Sequence, residues 1–139
     1  MRLNFLKEVR PLIIEDEPDV LSSLFSIFDM VFDEFYTARN GEEGLYRFYK
    51  DAPDIIITDL QMPFMSGFRM VERIRIENSD IPIIITSAHS SHDQMEQAEK
   101  LGVNGYLMKP YDMDALFAKI DECCLKNHSD KIDLDPFTL

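Results

Sequence analysis

The sequence has little that would build a metal-stabilised, secreted or membrane-spanning protein. Its 139 residues include no tryptophan, three histidines and two cysteines. The cysteines, Cys123 and Cys124, are neighbours, whereas a zinc site needs about four ligands, so we interpret them as reduced thiols in a helix. No apolar stretch reaches the length of a bilayer, and residues 1–11 lack the apolar core and cleavage site of a signal peptide. These absences favour a cytoplasmic protein without a membrane partner.

Positive charge is also scarce. The chain has 14 basic and 26 acidic residues, for a formal net charge of −12. Direct binding of nucleic acid or of an anionic membrane surface requires a basic patch, so neither is expected. Hydrophobic residues make up 45% of the chain and aromatic residues 11%, which is typical of one globular domain.

Five apolar stretches alternate with five segments of helical periodicity. The predicted strands are 11–14, 34–38, 54–58, 81–86 and 105–108. The predicted helices are 18–31, 40–50, one that carries Met70, Val71 and Ile74, 93–102, and 112–124. Alternation of this kind predicts an α/β fold, a doubly wound parallel sheet with helices on both faces. Residues 126–139 are polar and are interpreted as a tail or the start of a linker.

Most of the predicted strands are followed by residues that can do chemistry. In strand order they are Glu15 and Asp16, then Asp59, then Thr86 and Ser87, and finally Lys109. Ligands of open parallel sheets bind at these carboxyl ends. A cluster of three carboxylates needs neutralisation, which one lysine and one divalent cation would supply, and oxygen ligands favour Mg²⁺. Asp59 is then a candidate nucleophile in phosphoryl transfer.

Four motifs resemble those of one family. "LIIEDEPDV", "DIIITDLQMPFMSG", "IPIIITSAH" and "GYLMKPYD" are similar, in order and spacing, to the receiver domain of bacterial two-component response regulators. The resemblance covers about residues 9–125. It implies a flavodoxin-like sheet with strand order 2-1-3-4-5, the order known for a chemotaxis regulator of this family.

The resemblance also implies the chemistry of the site. Asp59 would accept a phosphoryl group from a sensor histidine kinase in a Mg²⁺-dependent reaction. Asp16 and Asp59 would ligate the metal, together with the backbone carbonyl of Gln61, and Glu15 would act through a water molecule. Lys109 would pair with Asp59 and later with a phosphoryl oxygen.

Further residues would transmit the phosphorylation. The hydroxyl of Ser87 would bond the phosphoryl group, and we favour Ser87 over Thr86 because Ala88 follows it, as in the family pattern. Tyr106 matches an aromatic switch, and Pro110 matches a cis-peptide position. The resemblance implies an output domain or downstream partner that binds the surface of the fourth helix, fifth strand and last helix, and it allows a phosphorylation-dependent homodimer.

Two other functions fit the same residues. One is a small-molecule phosphatase or phosphotransferase with an Asp and Mg²⁺ site, although no cap or long loop is seen that would enclose such a substrate. The other is an interaction module that accepts no phosphate. We expect a signalling phosphoacceptor that supports its own phosphorylation and dephosphorylation, either a stand-alone regulator or part of a longer chain.

Overall fold

The computed structural model of the chain describes residues 6–89 and 91–132. Its strands are β1 (Pro11–Ile14), β2 (Tyr36–Ala38), β3 (Ile55–Asp59), β4 (Ile83–Ser87) and β5 (Gly105–Met108). Its helices are α1 (Pro18–Val31), α2 (Gly41–Asp51), α3 (Gly67–Glu77), α4 (His92–Lys100) and α5 (Met113–Ile132). None of the described helices is long and apolar enough to cross a membrane.

The five strands form one parallel sheet in the order β2-β1-β3-β4-β5, which confirms the predicted fold and strand order. Isoleucines from the central strands alternate between two cores. Ile13, Ile57 and Ile84 pack with residues of α1 and α5, whereas Ile56 and Ile85 pack with residues of α2, α3 and α4. Burial on both faces explains why the central strands consist of continuous apolar runs.

Side-chain caps begin four of the helices, and at α5 the cap is Asp112, whose carboxylate accepts a hydrogen bond from the amide of Ala115. The side chain of Asn40 accepts a hydrogen bond from the amide of Glu43, and that of Ser66 accepts one from the amide of Arg69. Ser91 forms a reciprocal capping box with Gln94 at the start of α4. These caps place the helix starts within a few residues of the carboxyl ends of the strands.

Several predicted boundaries were wrong by a small margin. β3 and β4 end at Asp59 and Ser87, because Asp59 still pairs with Thr86 and Ser87 with Met108 after the apolar runs have finished. β2 begins at Tyr36 and is shorter than predicted. β3 and β4 therefore each end on a candidate site residue.

The last helix is longer than predicted. α5 continues past Cys124 to Ile132, since no glycine or proline interrupts residues 113–132. The first part of the expected polar tail is therefore helical, and residues 133–139 lie outside the described residues.

Candidate functional site

The carboxyl ends of β1, β3 and β5 bring three charged residues together. Glu15 follows β1 and is only 3% exposed, and Asp59 ends β3 and is 8% exposed. Lys109, which follows β5, places its Nζ atom 2.7 Å from Oε1 of Glu15 and 2.8 Å from Oδ2 of Asp59. One ammonium group therefore binds two carboxylates that lie 94 and 50 residues before it in the sequence, which the sheet order makes possible.

The carboxylates are close enough to share a cation. Glu15, Asp16 and Asp59 each offer one oxygen, and these oxygens lie within 4.8 Å of one another. Both oxygens of Glu15 already accept hydrogen bonds, from Lys109 and from the amide of Glu17. Within the described part of the chain, the carboxylate of Asp16 has no hydrogen-bond or ion-pair partner. A set of oxygen donors with one carboxylate unengaged fits a hard divalent cation such as Mg²⁺.

The electrostatics of the cluster also favour an added cation. Burial raises the pKa of Glu15, and its hydrogen bond to Lys109 only partly opposes this. Burial alone would lower the pKa of Lys109, but its hydrogen bonds to Asp59 and Glu15 outweigh burial and raise it. Lys109 therefore stays a cation across the physiological range, and one positive charge faces three carboxylates.

The loop after β3 is held tightly against the site. The amide of Gln61 donates to Oδ1 of Asp59 at 3.2 Å, and the amide of Gly67 donates to the carbonyl of Leu60 at 2.9 Å. A Cβ atom at Gly67 would collide with the carbonyl oxygen of Asp59 and lie 2.8 Å from the Cα of Leu60. Only glycine allows α3 to begin this close to the end of β3.

The same loop exposes an aromatic side chain, Phe64, to solvent. Phe64 has a φ angle of 70°, and the amide of Met65 donates to the carbonyl of Pro63 at 2.8 Å across it. This is a γ-turn with a positive φ at its centre, a rare and strained turn. Phe64 is 87% exposed, while Met65 packs against the core on the α2 and α3 side.

Ser87, the last residue of β4, and Tyr106, in β5, both hydrogen-bond the backbone of the β4–α4 loop. Ser87 is 1% exposed, and its hydroxyl accepts a hydrogen bond from the amide of His89 at 3.1 Å. The hydroxyl of Tyr106 donates to the carbonyl of His89 at 2.9 Å. Strand alternation puts Ser87 on the same face as Tyr106 and puts Thr86 on the other, which supports the preference for Ser87. The Lys109–Pro110 peptide bond is cis.

The sequence model of one family covers most of this structure. The response regulator receiver domain matches residues 12–121, which include every strand except the first residue of β1 and all the candidate site residues. The chain belongs to the response regulator receiver domain family. A receiver domain is a signalling domain of two-component systems, so the resemblance found in the motifs is confirmed.

Curated relatives of this receiver domain are longer proteins. The transcriptional regulatory protein PrrA of Mycobacterium tuberculosis is 33% identical over 111 residues, which are 80% of this chain and 48% of PrrA. The regulatory protein AtoC of Escherichia coli is 31% identical over 107 residues, 77% of this chain and 23% of AtoC. The chain thus spans about half the length of PrrA and less of AtoC. Because such relatives are named as transcriptional regulators, the expectation of no nucleic-acid partner is not confirmed.

Solved structures confirm the receiver fold. The N-terminal domain of an uncharacterized protein from Wolinella succinogenes is 32% identical and superposes with a TM-score of 0.82, over 88% of this chain and 99% of that one. A receiver domain from Clostridium thermocellum is 27% identical, with a TM-score of 0.81, over 87% of this chain and 98% of that one.

The predicted site residues thus fall into two groups in this receiver domain. Glu15, Asp16, Asp59 and Lys109 form one cluster, whereas the hydroxyl groups of Ser87 and Tyr106 bond the backbone of the β4–α4 loop. Gly67 was not predicted as part of the site. Its position directly after the capping residue Ser66 was the available signal.

Proposed function

We propose that this receiver domain accepts a phosphoryl group on Asp59 from a sensor histidine kinase, in a Mg²⁺-dependent reaction, and thereby switches a partner or output domain. The observation that carries the proposal is the carboxylate of Asp59 at the end of β3, held by Lys109 beside two further carboxylates. The three carboxylates repel one another, and Lys109 offsets only one of their charges. A bound divalent cation would offset the remaining charge.

The proposed ligands are the carboxylates of Asp16 and Asp59 and the backbone carbonyl of Gln61, with Glu15 acting through a water molecule. The free carboxylate of Asp16 supports this set, and so does the hydrogen bond that fixes the Gln61 backbone to Asp59. Glu15 is a weaker direct ligand, since Lys109 and the Glu17 amide occupy its oxygens. Bound Mg²⁺ would supply positive charge opposite the oxygens of the incoming phosphoryl group.

The residues of the chain then perform a simple displacement. A carboxylate oxygen of Asp59 forms a bond to phosphorus as the bond to the histidine nitrogen of the donor breaks, which leaves an acyl phosphate on Asp59. No proton has to leave the nucleophile, because it reacts as a carboxylate. Lys109, already 2.8 Å from Asp59, is placed to pair with a phosphoryl oxygen afterwards.

The switch would run through the β4–α4 loop. To reach the phosphoryl group, the hydroxyl of Ser87 has to leave the amide of His89, and the carbonyl of His89 is the partner of Tyr106. Movement of this loop would therefore release Tyr106 and alter the surface of α4, β5 and α5, where we place the downstream partner or a homodimer contact.

Intact mass after incubation with acetyl phosphate tests the proposal. We expect the wild-type chain to gain one phosphoryl group with Mg²⁺ and none with EDTA. Asp59→Asn should gain none, whereas Asp33→Asn, the same change at an exposed aspartate between α1 and β2, should behave as wild type. Labelling that persists in Asp59→Asn would refute the assignment of Asp59.

Two other results would favour the alternative functions. A wild-type chain that gains no mass in Mg²⁺ would be a receiver-shaped interaction module. Steady hydrolysis of a phosphomonoester such as p-nitrophenyl phosphate, abolished in Asp59→Asn, would indicate a small-molecule phosphatase.

A further inference from the structure

Helix α4 is attached to the rest of the domain by few apolar contacts. All of its residues are described, and among them only Ala98 is buried. Helix α3 by contrast buries Gly67, Met70, Val71 and Ile74. Hydrogen bonds at the two ends of α4 must therefore contribute much of what holds it in place.

The carboxyl-terminal end of α4 is bound by an arginine of another helix. Nε of Arg75, on α3, donates to the carbonyl of Leu101 at 2.8 Å, and one terminal nitrogen donates to the carbonyl of Gly102 at 2.8 Å. Gly102 has a φ angle of 68° and leads the chain out of the helix. Arg75 thus fills the acceptor positions that a helix leaves unsatisfied at its end, where a cation also interacts favourably with the helix dipole.

The same guanidinium group binds the segments that lead into β4 and β5. It donates to the carbonyl of Ile81 at 2.8 Å, to that of Asn78 at 3.2 Å and to Oδ1 of Asn104 at 3.3 Å. Oδ1 of Asn104 also accepts a hydrogen bond from the amide of Ile83 at 3.0 Å. One side chain therefore joins α3, the end of α4 and the starts of two strands.

Arg75 is held by neutral acceptors. Among the described residues it forms no ion pair with a carboxylate, and burial lowers its pKa although the charge of Asp80 opposes this. A rigid fork of donors that meets several carbonyls is the geometry for which arginine is suited and lysine is not. The contact is therefore specific to the guanidinium group.

Among the described residues, fewer side-chain hydrogen bonds from other elements hold the amino-terminal end of α4. The preceding loop is joined to β5 by the hydrogen bond from Tyr106 to the carbonyl of His89. Beside the helix lies a groove of about 340 Å³, lined by Met95, Val103, Tyr106 and Lys119 among others. The helix is thus hydrogen-bonded to Arg75 at its carboxyl-terminal end and borders the groove along its side.

We propose that Arg75 is a positioning residue for the partner-binding surface: it fixes the carboxyl-terminal end of α4 as a pivot, so that rearrangement of the β4–α4 loop moves the amino-terminal end of α4 and reshapes the groove. The pivot itself is a property of the resting chain. Only its use in signalling rests on the proposed phosphorylation of Asp59.

Hydrogen exchange of the unphosphorylated chain tests the pivot. In Arg75→Met, which keeps the length of the side chain but loses its donors, the amides of 101–104 should exchange about tenfold faster or more, the effect of losing one hydrogen bond to a charged donor. The amides of 43–46, at the start of α2, should change by less than about twofold, because their local opening breaks no hydrogen bond to Arg75. Arg75→Lys should behave like Arg75→Met, because it keeps the charge without the fork.

Arg73→Met is the matched control, since Arg73 lies on the same helix and is exposed. It should leave exchange at 101–104 unchanged. Unchanged exchange there in Arg75→Met would overturn the proposal. So would an equal rise at 43–46 and 101–104 in both Arg75 variants, because Arg75 would then affect local openings throughout the fold without anchoring one end of α4.

Acetyl phosphate and Mg²⁺ provide the second part of the test. On phosphorylation, wild-type exchange should change at 91–96 and not at 101–104, whereas in Arg75→Met the change should extend to 101–104. A change centred on 101–104 in the wild type would overturn the pivot. Absence of a mass gain in the wild type would refute the proposed function instead, and the resting-state comparison would still decide the role of Arg75.

Discussion

The carboxyl and amino ends of the sheet differ in how far their charged side chains are compensated by neighbouring groups. At the carboxyl ends of the strands, Lys109 is the cation that faces Glu15, Asp16 and Asp59 within the described cluster. At the amino ends, arginines are matched by acceptors of the fold itself, as Arg75 shows with five hydrogen bonds.

Arg10 repeats the amino-end pattern on the other side of the sheet. Its guanidinium group donates to the hydroxyl of Tyr36 at 3.3 Å and to the carbonyls of Asp51 and Ala52 at the end of α2. Its own amide donates to a carboxylate oxygen of Asp54 at 2.8 Å. The hydrogen bond to Tyr36 raises the pKa of Arg10. Arg10 and Arg75 therefore each cap the end of a helix while holding the entry to a strand.

The amino end of the sheet therefore contributes to stability, and the carboxyl end carries the groups of the proposed chemistry. At the amino end, Arg10 and Arg75 are matched by acceptors and hold the ends of two helices, whereas the carboxyl end keeps an excess of negative charge that a bound cation can relieve. Sites of function commonly carry such a stability cost. Substitutions at the amino end should accordingly lower the free energy of unfolding, whereas removal of Lys109 at the carboxyl end should slow phosphoryl transfer.

Lys109→Met should produce the largest effect. Loss of the ammonium group removes the charge that pairs with Asp59 and, in the proposed reaction, with a phosphoryl oxygen. The initial rate of labelling by acetyl phosphate should fall by about a hundredfold, as for loss of one preorganised donor. Mass spectrometry over time measures this, and Lys50→Met on the exposed side of α2 is the control. A rate within a few-fold of wild type would remove Lys109 from the reaction.

Arg75→Met should show the reverse behaviour. The loss of several hydrogen bonds to a charged donor should lower the free energy of unfolding by about 2 kcal/mol. The initial labelling rate should stay within about twofold of wild type, because no donor to the site is lost. Urea denaturation followed by circular dichroism measures the first quantity. If Arg75→Met slowed labelling as strongly as Lys109→Met, the separation of the two ends would be wrong.

Asp16→Asn should change the free energy of unfolding by less than Arg75→Met does, and in the opposite direction. Removing one of three neighbouring carboxylates should raise the free energy of unfolding by about 0.5 kcal/mol at low salt and by less at high salt. The same variant should need more Mg²⁺ for half-maximal labelling. A lower free energy of unfolding in Asp16→Asn would show that the Asp16 carboxylate has a stabilising partner in the folded chain.

Glu15→Gln should change how stability depends on pH. The raised pKa of Glu15 means that the folded chain binds this proton more tightly than the unfolded chain does. The contribution of Glu15 to the free energy of unfolding therefore falls as pH rises above 4.5, the ordinary pKa of this side chain. Glutamine does not titrate, so the variant shows no such fall. The free energy of unfolding of Glu15→Gln minus that of wild type should increase with pH from that point. Denaturation at several pH values checks this, and a constant difference would contradict it.

Much of this architecture could be predicted from the sequence, because its signals are local. The isoleucine runs of β3 and β4 predict buried strands, and Asn40 with Glu43 predicts the start of α2. The strand order came only from the family resemblance, since periodicity does not determine which strands are neighbours. The approach of Asp59 to Lys109 depends on that order.

Other features had no local signal. Arg75 is one of several arginines in α3, and its role depends on where the loops before β4 and β5 pass. Helical spacing from Leu45 predicts that Tyr49 faces the core, yet Tyr49 is 55% exposed, because Leu45 and Phe48 already fill the space beneath α2. In both cases, distant segments decide the environment of the residue.

The γ-turn at Phe64 makes an optical reporter possible. Phe64 lies in the loop between Asp59 and α3, 87% exposed and with its backbone held by the turn. The chain has no tryptophan, so Phe64→Trp would place a single indole fluorophore beside the acidic cluster without displacing a buried side chain. Its emission could be followed in real time as Mg²⁺ and acetyl phosphate are added, and the kinetics of the site would become visible without a label.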